Sequence, residues 1–140
     1  MGFKLKRALA ALGVAACVAV PVLADTSWHS NAVSGGGSVS TTAVTKKSSA
    51  TGAPALVTFS AFSNYDAKPS EHPLALRVRT PGGAAATGVV SVYGTGTYTL
   101  YYNSGYGIYG NDYVANIATH TASTRGASFT LTFTDRKSVV

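Results

Sequence analysis

Phe129-Thr130-Leu131-Thr132-Phe133-Thr134 is the stretch of the chain that decides its fold class. Large apolar side chains alternate with threonines along it, and successive residues of a β-strand point to opposite faces of a sheet. Phe129, Leu131 and Phe133 are therefore predicted to face a core, while the threonines face water. Because a shift of one residue would expose all the apolar side chains, the pattern also predicts a strongly determined register.

Other segments carry similar strand signals, namely alternation or an enrichment in β-branched and aromatic residues. Glycine or proline lies between them, and Gly94-Thr95-Gly96 is typical of a short hairpin loop. The predicted strands are Leu56–Phe62, Leu74–Arg79, Thr87–Tyr93, Thr97–Tyr102, Tyr113–Thr119 and Phe129–Thr134. The sequence therefore predicts an all-β domain: a small antiparallel β-sandwich, Ig-like or jelly-roll-like, or an open barrel, of six to seven strands.

Residues 1–24 have the pattern of a cleavable secretory signal peptide. Basic residues at the start precede an uncharged, almost wholly apolar run from Ala8 to Leu23. This run is shorter than the roughly 20 residues of a membrane-spanning helix, so we expect only transient contact with the membrane. Cleavage is predicted between Ala24 and Asp25, which places the product outside the cell, at its surface or in a periplasm.

Val14-Ala15-Ala16-Cys17 supports a second interpretation, because it resembles the lipobox of bacterial lipoproteins. The residues from Val18 to Leu23 stay apolar, however, whereas a lipid-anchored tether is expected to become polar at once. If Cys17 leaves with the signal, the mature chain has no cysteine and is stabilised by burial alone.

The rest of the chain divides into three segments by composition. Residues 25–54 are rich in Ser, Thr, Gly and Ala, which predicts a flexible leader with Val39 to Val44 as a candidate edge strand. Residues 55–134 are the predicted β domain. Residues 135–140 read like a translated sequencing-adapter oligonucleotide, so we expect them to be foreign and the gene to be truncated there; an ordinary charged tail is the alternative.

The basic charge of the chain is concentrated at its ends. The full sequence has a formal net charge of +6, whereas residues 25–134 hold six Lys or Arg and four Asp or Glu, a net charge of +2. No clustered basic patch remains to bind a phosphate backbone. Nucleic acid is therefore excluded as an expected partner.

Catalytic and metal-binding signatures are missing from the sequence. It contains no Gly-x-Ser-x-Gly or His-Glu-x-x-His motif, and His29, His72 and His120 lack metal-site spacing. Asp66 and Glu71, close in sequence, are interpreted as solvated turn residues. We therefore predict neither an enzyme nor a cofactor or metal site, although a truncated gene could lack a catalytic part.

One segment has a composition typical of a contact surface. Residues 101–113 hold five of the eight tyrosines among Gly, Asn and Ser. Tyrosine offers a large amphipathic surface with few rotatable bonds, and small polar residues let the loop adapt to a ligand. The candidate ligand-binding residues are Tyr101, Tyr102, Asn103, Tyr106, Tyr109, Asn111 and Tyr113. The alternative is a purely structural hairpin connection.

These features favour a secreted or surface-associated, non-enzymatic module for binding or adhesion. Its expected partner is a carbohydrate or a protein surface, reached through the Tyr/Gly-rich loop. Two alternatives stay open: a secreted toxin or bacteriocin-like effector acting on cell envelopes, and a fragment of a secreted hydrolase. The uninterrupted gene would separate them, since a downstream anchor favours adhesion and new catalytic motifs favour an enzyme.

Overall fold

The computed structural model describes residues 26–47 and 53–134, which form nine β-strands and no helix. No helix able to cross a membrane therefore occurs in these residues. The strands are β1 (Thr26–Val33), β2 (Ser38–Ser40), β3 (Val44–Thr45), β4 (Ala55–Asn64), β5 (Leu74–Arg79), β6 (Val90–Val92), β7 (Gly96–Leu100), β8 (Asp112–Ala118) and β9 (Ala127–Thr134). The predicted signal peptide with its cleavage site and the predicted adapter segment lie outside the described residues.

The strands form two antiparallel sheets. The first sheet has the order β1-β9-β4-β7, and the second has the order β2-β8-β5-β6, with β3 also paired to β8. Buried apolar residues of both sheets form one shared core. This arrangement is the predicted all-β sandwich rather than an open barrel.

The alternating stretch near the C-terminus forms β9, which lies between β1 and β4 in the first sheet. Phe129, Leu131 and Phe133 are only 3%, 0% and 0% exposed. The threonines between them are half-buried on the opposite face. The predicted core face is therefore confirmed. The aromatic centre of the core is Phe59, whose ring meets those of Phe62, Tyr98 and Phe129 edge to face at 5.7 to 5.9 Å.

All six predicted strands are present, but the expected count of six to seven is wrong because the segment 25–54 contributes three strands. The prediction of a flexible leader fails for its described part. β1 pairs with β9 along its whole length, from Thr26 opposite Thr134 to Val33 opposite Ala127. Backbone hydrogen bonds to β9 stabilise β1, and such pairing leaves no mark in the side-chain composition.

The candidate edge strand at Val39 to Val44 is two short strands, β2 and β3, both paired with β8. Between them, Thr41 bonds to Ala115 twice: its N–H donates to the carbonyl oxygen of Ala115 at 2.9 Å, and its Oγ1 accepts from the Ala115 N–H at 3.0 Å. Between β2 and β3, the Thr41 hydroxyl thus accepts a hydrogen bond that a backbone carbonyl oxygen would accept in a continuous strand.

The antiparallel pairing brings the strand connections together at two ends of the sandwich. The β3–β4, β5–β6 and β7–β8 connections lie at one end, which carries the Tyr/Gly-rich segment. The β1–β2, β4–β5 and β8–β9 connections lie at the opposite end. These two ends hold the polar clusters described next.

Candidate functional site

A cleft of about 470 Å³ lies between the β5–β6 and β7–β8 connections. Thr80 and Pro81 line it from the β5–β6 side. The remaining lining residues come from the end of the Tyr/Gly-rich segment and the start of β8: Gly105, Tyr106, Gly110, Asn111, Asp112 and Tyr113. These eight residues define the tyrosine cleft. Three of the predicted site residues, Tyr106, Asn111 and Tyr113, are among them.

Tyr113 supports the wall of the cleft from inside and is only 1% exposed. Its hydroxyl oxygen accepts hydrogen bonds from the backbone N–H groups of Gly107 at 2.8 Å and Ile108 at 3.0 Å. Its ring packs against the ring of Tyr102, with 4.9 Å between centroids. Gly107 has a φ of 75° and lies so close to Tyr102 that an added Cβ would be 2.6 Å from that ring. Tyr113 is therefore an anchor of the loop rather than a contact residue.

Lys46, at the end of β3, holds the base of the same loop and is fully buried. Its backbone N–H donates to the carbonyl oxygen of Asn111, and its carbonyl oxygen accepts from the N–H of Gly110, both at 2.9 Å. Its Nζ donates to the carbonyl oxygen of Ala53 at 3.1 Å and lies 5.1 Å from the ring centre of Tyr102. The Lys46-Lys47 pair in a polar segment did not indicate this role, because nothing in the sequence pairs Lys46 with a tyrosine 56 positions away.

The seven predicted site residues do not form one surface. Tyr101 and Tyr109 are 68% and 62% exposed, and Ile108, which was not predicted, is 50% exposed. Asn103 and Asn111 are also exposed. Tyr102 and Tyr106 are half-buried and pack against the core. The loop therefore turns some tyrosines inward as supports and leaves others free for contact.

The polar groups of the tyrosine cleft are neutral apart from one carboxylate. Asp112 Oδ1 accepts a hydrogen bond from Thr45 Oγ1 at 2.6 Å, which orients the carboxylate at the start of β8. Asp112 is the sole charged side chain among the eight lining residues. The cleft thus combines an apolar patch, formed by Pro81 and Tyr106, with hydrogen-bonding groups and one negative charge.

Removal of the Tyr113 hydroxyl is expected to loosen the loop. In Tyr113→Phe, the N–H groups of Gly107 and Ile108 lose their acceptor, which we expect to lower the free energy of unfolding by about 1 to 3 kcal/mol. Urea denaturation measures this change. Tyr109→Phe is the matched control, because its ring is exposed, and it should leave stability unaltered. Equal effects of the two changes would show that the Tyr113 hydroxyl does not hold the loop.

A second polar cluster lies at the opposite end of the sandwich. Asp66 Oδ2 accepts a hydrogen bond from His72 Nδ1 at 2.7 Å, and the His72 ring stacks on that of His120 with 4.6 Å between centroids. The Asp66 side chain is only 6% exposed, whereas that of Glu71 is 67% exposed. The prediction of a solvated turn is thus wrong for Asp66. Asp66 joins the β4–β5 connection to the β8–β9 connection through the two imidazoles.

Asp66, His72 and His120 form the Asp66 cluster, and their geometry indicates a structural rather than a metal-binding role. The two imidazole planes lie 27° apart, so their in-plane nitrogen lone pairs do not converge on one ion as metal ligands must. Within residues 26–47 and 53–134, no group of three or more His, Cys, Asp or Glu is placed to hold a metal.

Acid should remove the contribution of Asp66 to stability. The backbone N–H of Lys68, which donates to Asp66 Oδ2 at 2.8 Å, and the hydrogen bond from His72 lower the pKa of Asp66 below its ordinary value of 3.8. A carboxylate with a lowered folded pKa stabilises the fold above its unfolded pKa, and this stabilisation is lost as the pH falls through the folded pKa.

Asp66→Asn should therefore be less stable than the parent protein at neutral pH, and the difference should shrink in strong acid. Urea denaturation at about pH 7 and about pH 2 measures it. Glu71→Gln, which removes an exposed carboxylate from the same connection, should show no comparable difference. If the difference in free energy of unfolding between the parent and Asp66→Asn persists unchanged in acid, the ionised carboxylate is not the stabilising group.

No protein-family model matches the chain, and comparisons with curated proteins and with solved structures found no match either. The assignment of a function therefore rests on the chemistry of the tyrosine cleft and on the surfaces around it.

Proposed function

We propose that this chain is an exported, non-enzymatic β module that binds neutral carbohydrate through the tyrosine cleft. The observation that carries the proposal is the position of the cleft beside a loop with exposed tyrosines, on a rigid two-sheet scaffold. Its volume of about 470 Å³ is in the range of small-ligand sites. The signal pattern of residues 1–24 supports export, which would give the module access to surface glycans.

The chemistry of the cleft suits a sugar ring. Apolar C–H groups on one face of a sugar can pack against the Tyr106 ring and Pro81, in the way that aromatic and apolar side chains line ligand sites. The ring hydroxyls can then bond to Asp112, Asn111 and Thr80. Because the one charged lining group is a carboxylate, acidic sugars are disfavoured by repulsion and neutral sugars fit best.

Exposed tyrosines beside the cleft supply the strongest expected contacts. Tyr109 lies in the segment that connects Gly105 and Gly110, both of which line the cleft, and 62% of its surface is exposed. Interface aromatics each contribute about 2 kcal/mol or more to binding when they are hot spots. Tyr109→Ala is therefore expected to weaken binding roughly 30-fold, since every 1.4 kcal/mol is tenfold in affinity.

Neutral trisaccharides test the proposal directly. Chitotriose, cellotriose and maltotriose would be titrated into the ¹⁵N-labelled protein, with the amides of Gly105, Gly110 and Asn111 as reporters. At least one sugar should shift these signals, and Tyr109→Ala should weaken that effect at an unchanged melting temperature. Tyr93→Ala is the matched control, because Tyr93 is 63% exposed but follows Val92, which pairs with Leu74 at the opposite end of the sandwich.

Two outcomes would overturn the proposal. If none of the three sugars shifts the cleft amides, the cleft is not a neutral-sugar site. If Tyr93→Ala and Tyr109→Ala weaken binding equally, contact does not occur through the Tyr/Gly-rich loop. Binding of a protein probe at the same amides would instead favour the protein-contact alternative.

A further inference from the structure

The outer face of the second sheet carries two arginines next to each other on β5. Leu76 and Val78 point into the core with 0% exposure, so Arg77 and Arg79, which alternate with them, lie on the opposite face. Their Cα atoms are separated by two residues of an extended strand, or roughly 6.6 Å. Like charges at this spacing repel each other, so an unpaired arrangement lowers stability.

Arg77 has a buried donor without a partner. Its Nε is buried and, in the part of the chain that the structure describes, forms no hydrogen bond. Its register partner on β8 is Asn116, whose Oδ1 already accepts from Arg79 Nε at 3.3 Å. The Asn116 amide nitrogen donates to Val39 and Ser40. Both the oxygen and the nitrogen of the Asn116 side-chain amide are thus engaged, and Arg77 Nε is left without an acceptor, which is unfavourable.

Among the residues that the structure describes, no carboxylate forms a salt bridge with Arg77 or Arg79. The salt bridges among the described residues join Lys68 to Glu71 and His72 to Asp66, all within the β4–β5 connection. Arg79 Nη1 donates to the carbonyl oxygen of Gly83 at 2.9 Å, a neutral acceptor. Both positive charges therefore remain available to an outside partner.

The surface beside the arginines is flat because its side chains are small. One row of register partners crosses four of the five strands of the sheet next to Arg77, and none of its side chains is longer than that of serine. These residues are Ser38 on β2, Ala118 on β8, Ala75 on β5 and Ser91 on β6. A chain can therefore lie close to the sheet along this row, beside Arg77.

We propose that this outer face docks an acidic peptide segment in an extended conformation, with carboxylates at alternate positions. Alternate side chains of an extended peptide lie on one side at roughly 6.6 Å, which matches the spacing of Arg77 and Arg79. Arginine pairs with carboxylate through two parallel hydrogen bonds, and because Arg77 Nε is buried, the peptide carboxylate would pair with the two Nη groups of Arg77. This surface is distinct from the tyrosine cleft, and the partner is defined by charge rather than by sugar chemistry.

Two synthetic peptides test this docking. One has the repeating sequence Glu-Thr, and its control has Gln in place of every Glu; isothermal titration calorimetry with the whole protein measures both. The Glu peptide should bind and the Gln peptide should not. Because hydrogen bonds to charged groups contribute strongly, Arg77→Gln should weaken the Glu peptide about tenfold. Lys68→Gln is the charge-matched control, since the Lys68 side chain is 67% exposed at the opposite end, and it should bind as the parent does.

Three results would overturn the docking proposal: equal affinity for both peptides, no binding of the Glu peptide, or equal losses in Arg77→Gln and Lys68→Gln. Binding of hyaluronate, a polymer of carboxylate-bearing sugars, in place of the peptide would assign the face to a different class of partner.

Arg77→Lys keeps the charge but not the paired hydrogen bonds, so its affinity for the Glu peptide should lie between those of the parent and Arg77→Gln. Chitotriose, cellotriose and maltotriose binding at the tyrosine cleft should be unchanged in all of these variants, which separates the two proposals.

Discussion

Phe133→Ala is expected to lower the free energy of unfolding by about 3 to 5 kcal/mol, because it deletes a fully buried aromatic ring and leaves a cavity in the core. Small domains have a total stability of about 5 to 15 kcal/mol, so this one change removes a large part of it. Urea denaturation of the parent and the variant measures the difference.

The control for this change lies one residue away in the same strand. Thr132 is half-buried on the outer face of β9, opposite Thr58 and Trp28 in the register. Thr132→Ala should therefore alter stability by no more than about 0.5 kcal/mol. Comparable losses in Phe133→Ala and Thr132→Ala would show that the two faces of β9 are not divided into core and solvent.

The second large effect is expected at Gly126, where the β8–β9 connection enters β9. A Cβ added at Gly126 would overlap the carbonyl oxygen of Val33, the last residue of β1, and would lie 3.1 Å from its carbonyl carbon. Both obstructing atoms belong to the backbone, so no side chain can rotate away. We expect Gly126→Ala to lower the free energy of unfolding by about 3 kcal/mol, at the upper end of the range for overpacking.

Gly88→Ala is the matched control, because an added Cβ at Gly88 has no heavy atom within 4 Å in the described structure. It should be nearly neutral. The comparison also tests the position of β1, since the carbonyl oxygen that blocks Gly126 belongs to that strand. A harmless Gly126→Ala would mean that the end of β1 does not pack where β9 begins.

β1 shows why the number of strands could not be predicted from composition. Alternation predicts a strand only where one face is buried in apolar contacts, and β1 has little such contact, with Val33 as a buried apolar residue at its end. Its partner β9 lies about 100 positions later in the chain, so local patterns carry no information about the pairing. β5 and β9 could be predicted because one face of each strand is apolar and buried in the core.

The composition of the Tyr/Gly-rich segment is distinctive, but the position of each side chain in it could not be predicted from the sequence. Tyrosines amid Gly and Asn made residues 101–113 the candidate contact segment, and part of this segment lines the cleft: Gly105, Tyr106, Gly110, Asn111, Asp112 and Tyr113. Tyr109 and Tyr113 lie in similar local sequences, yet the first is exposed and the second is an internal anchor. The difference depends on whether the ring reaches the core and whether its hydroxyl finds backbone donors, which only the folded loop decides.

The sequence by itself determined the β class of the chain, the six strands with alternating or β-rich composition and the inward face of β9, because the side-chain period of a strand is a local property. Only the tertiary structure decided that residues 26–33 form a strand, that His72 stacks on His120 across 48 positions, and that Arg77 Nε is buried without an acceptor while Asn116 bonds to Arg79. These contacts join residues far apart in the chain. Their formation depends on how two sheets pack and in which register their strands pair, which no local pattern encodes.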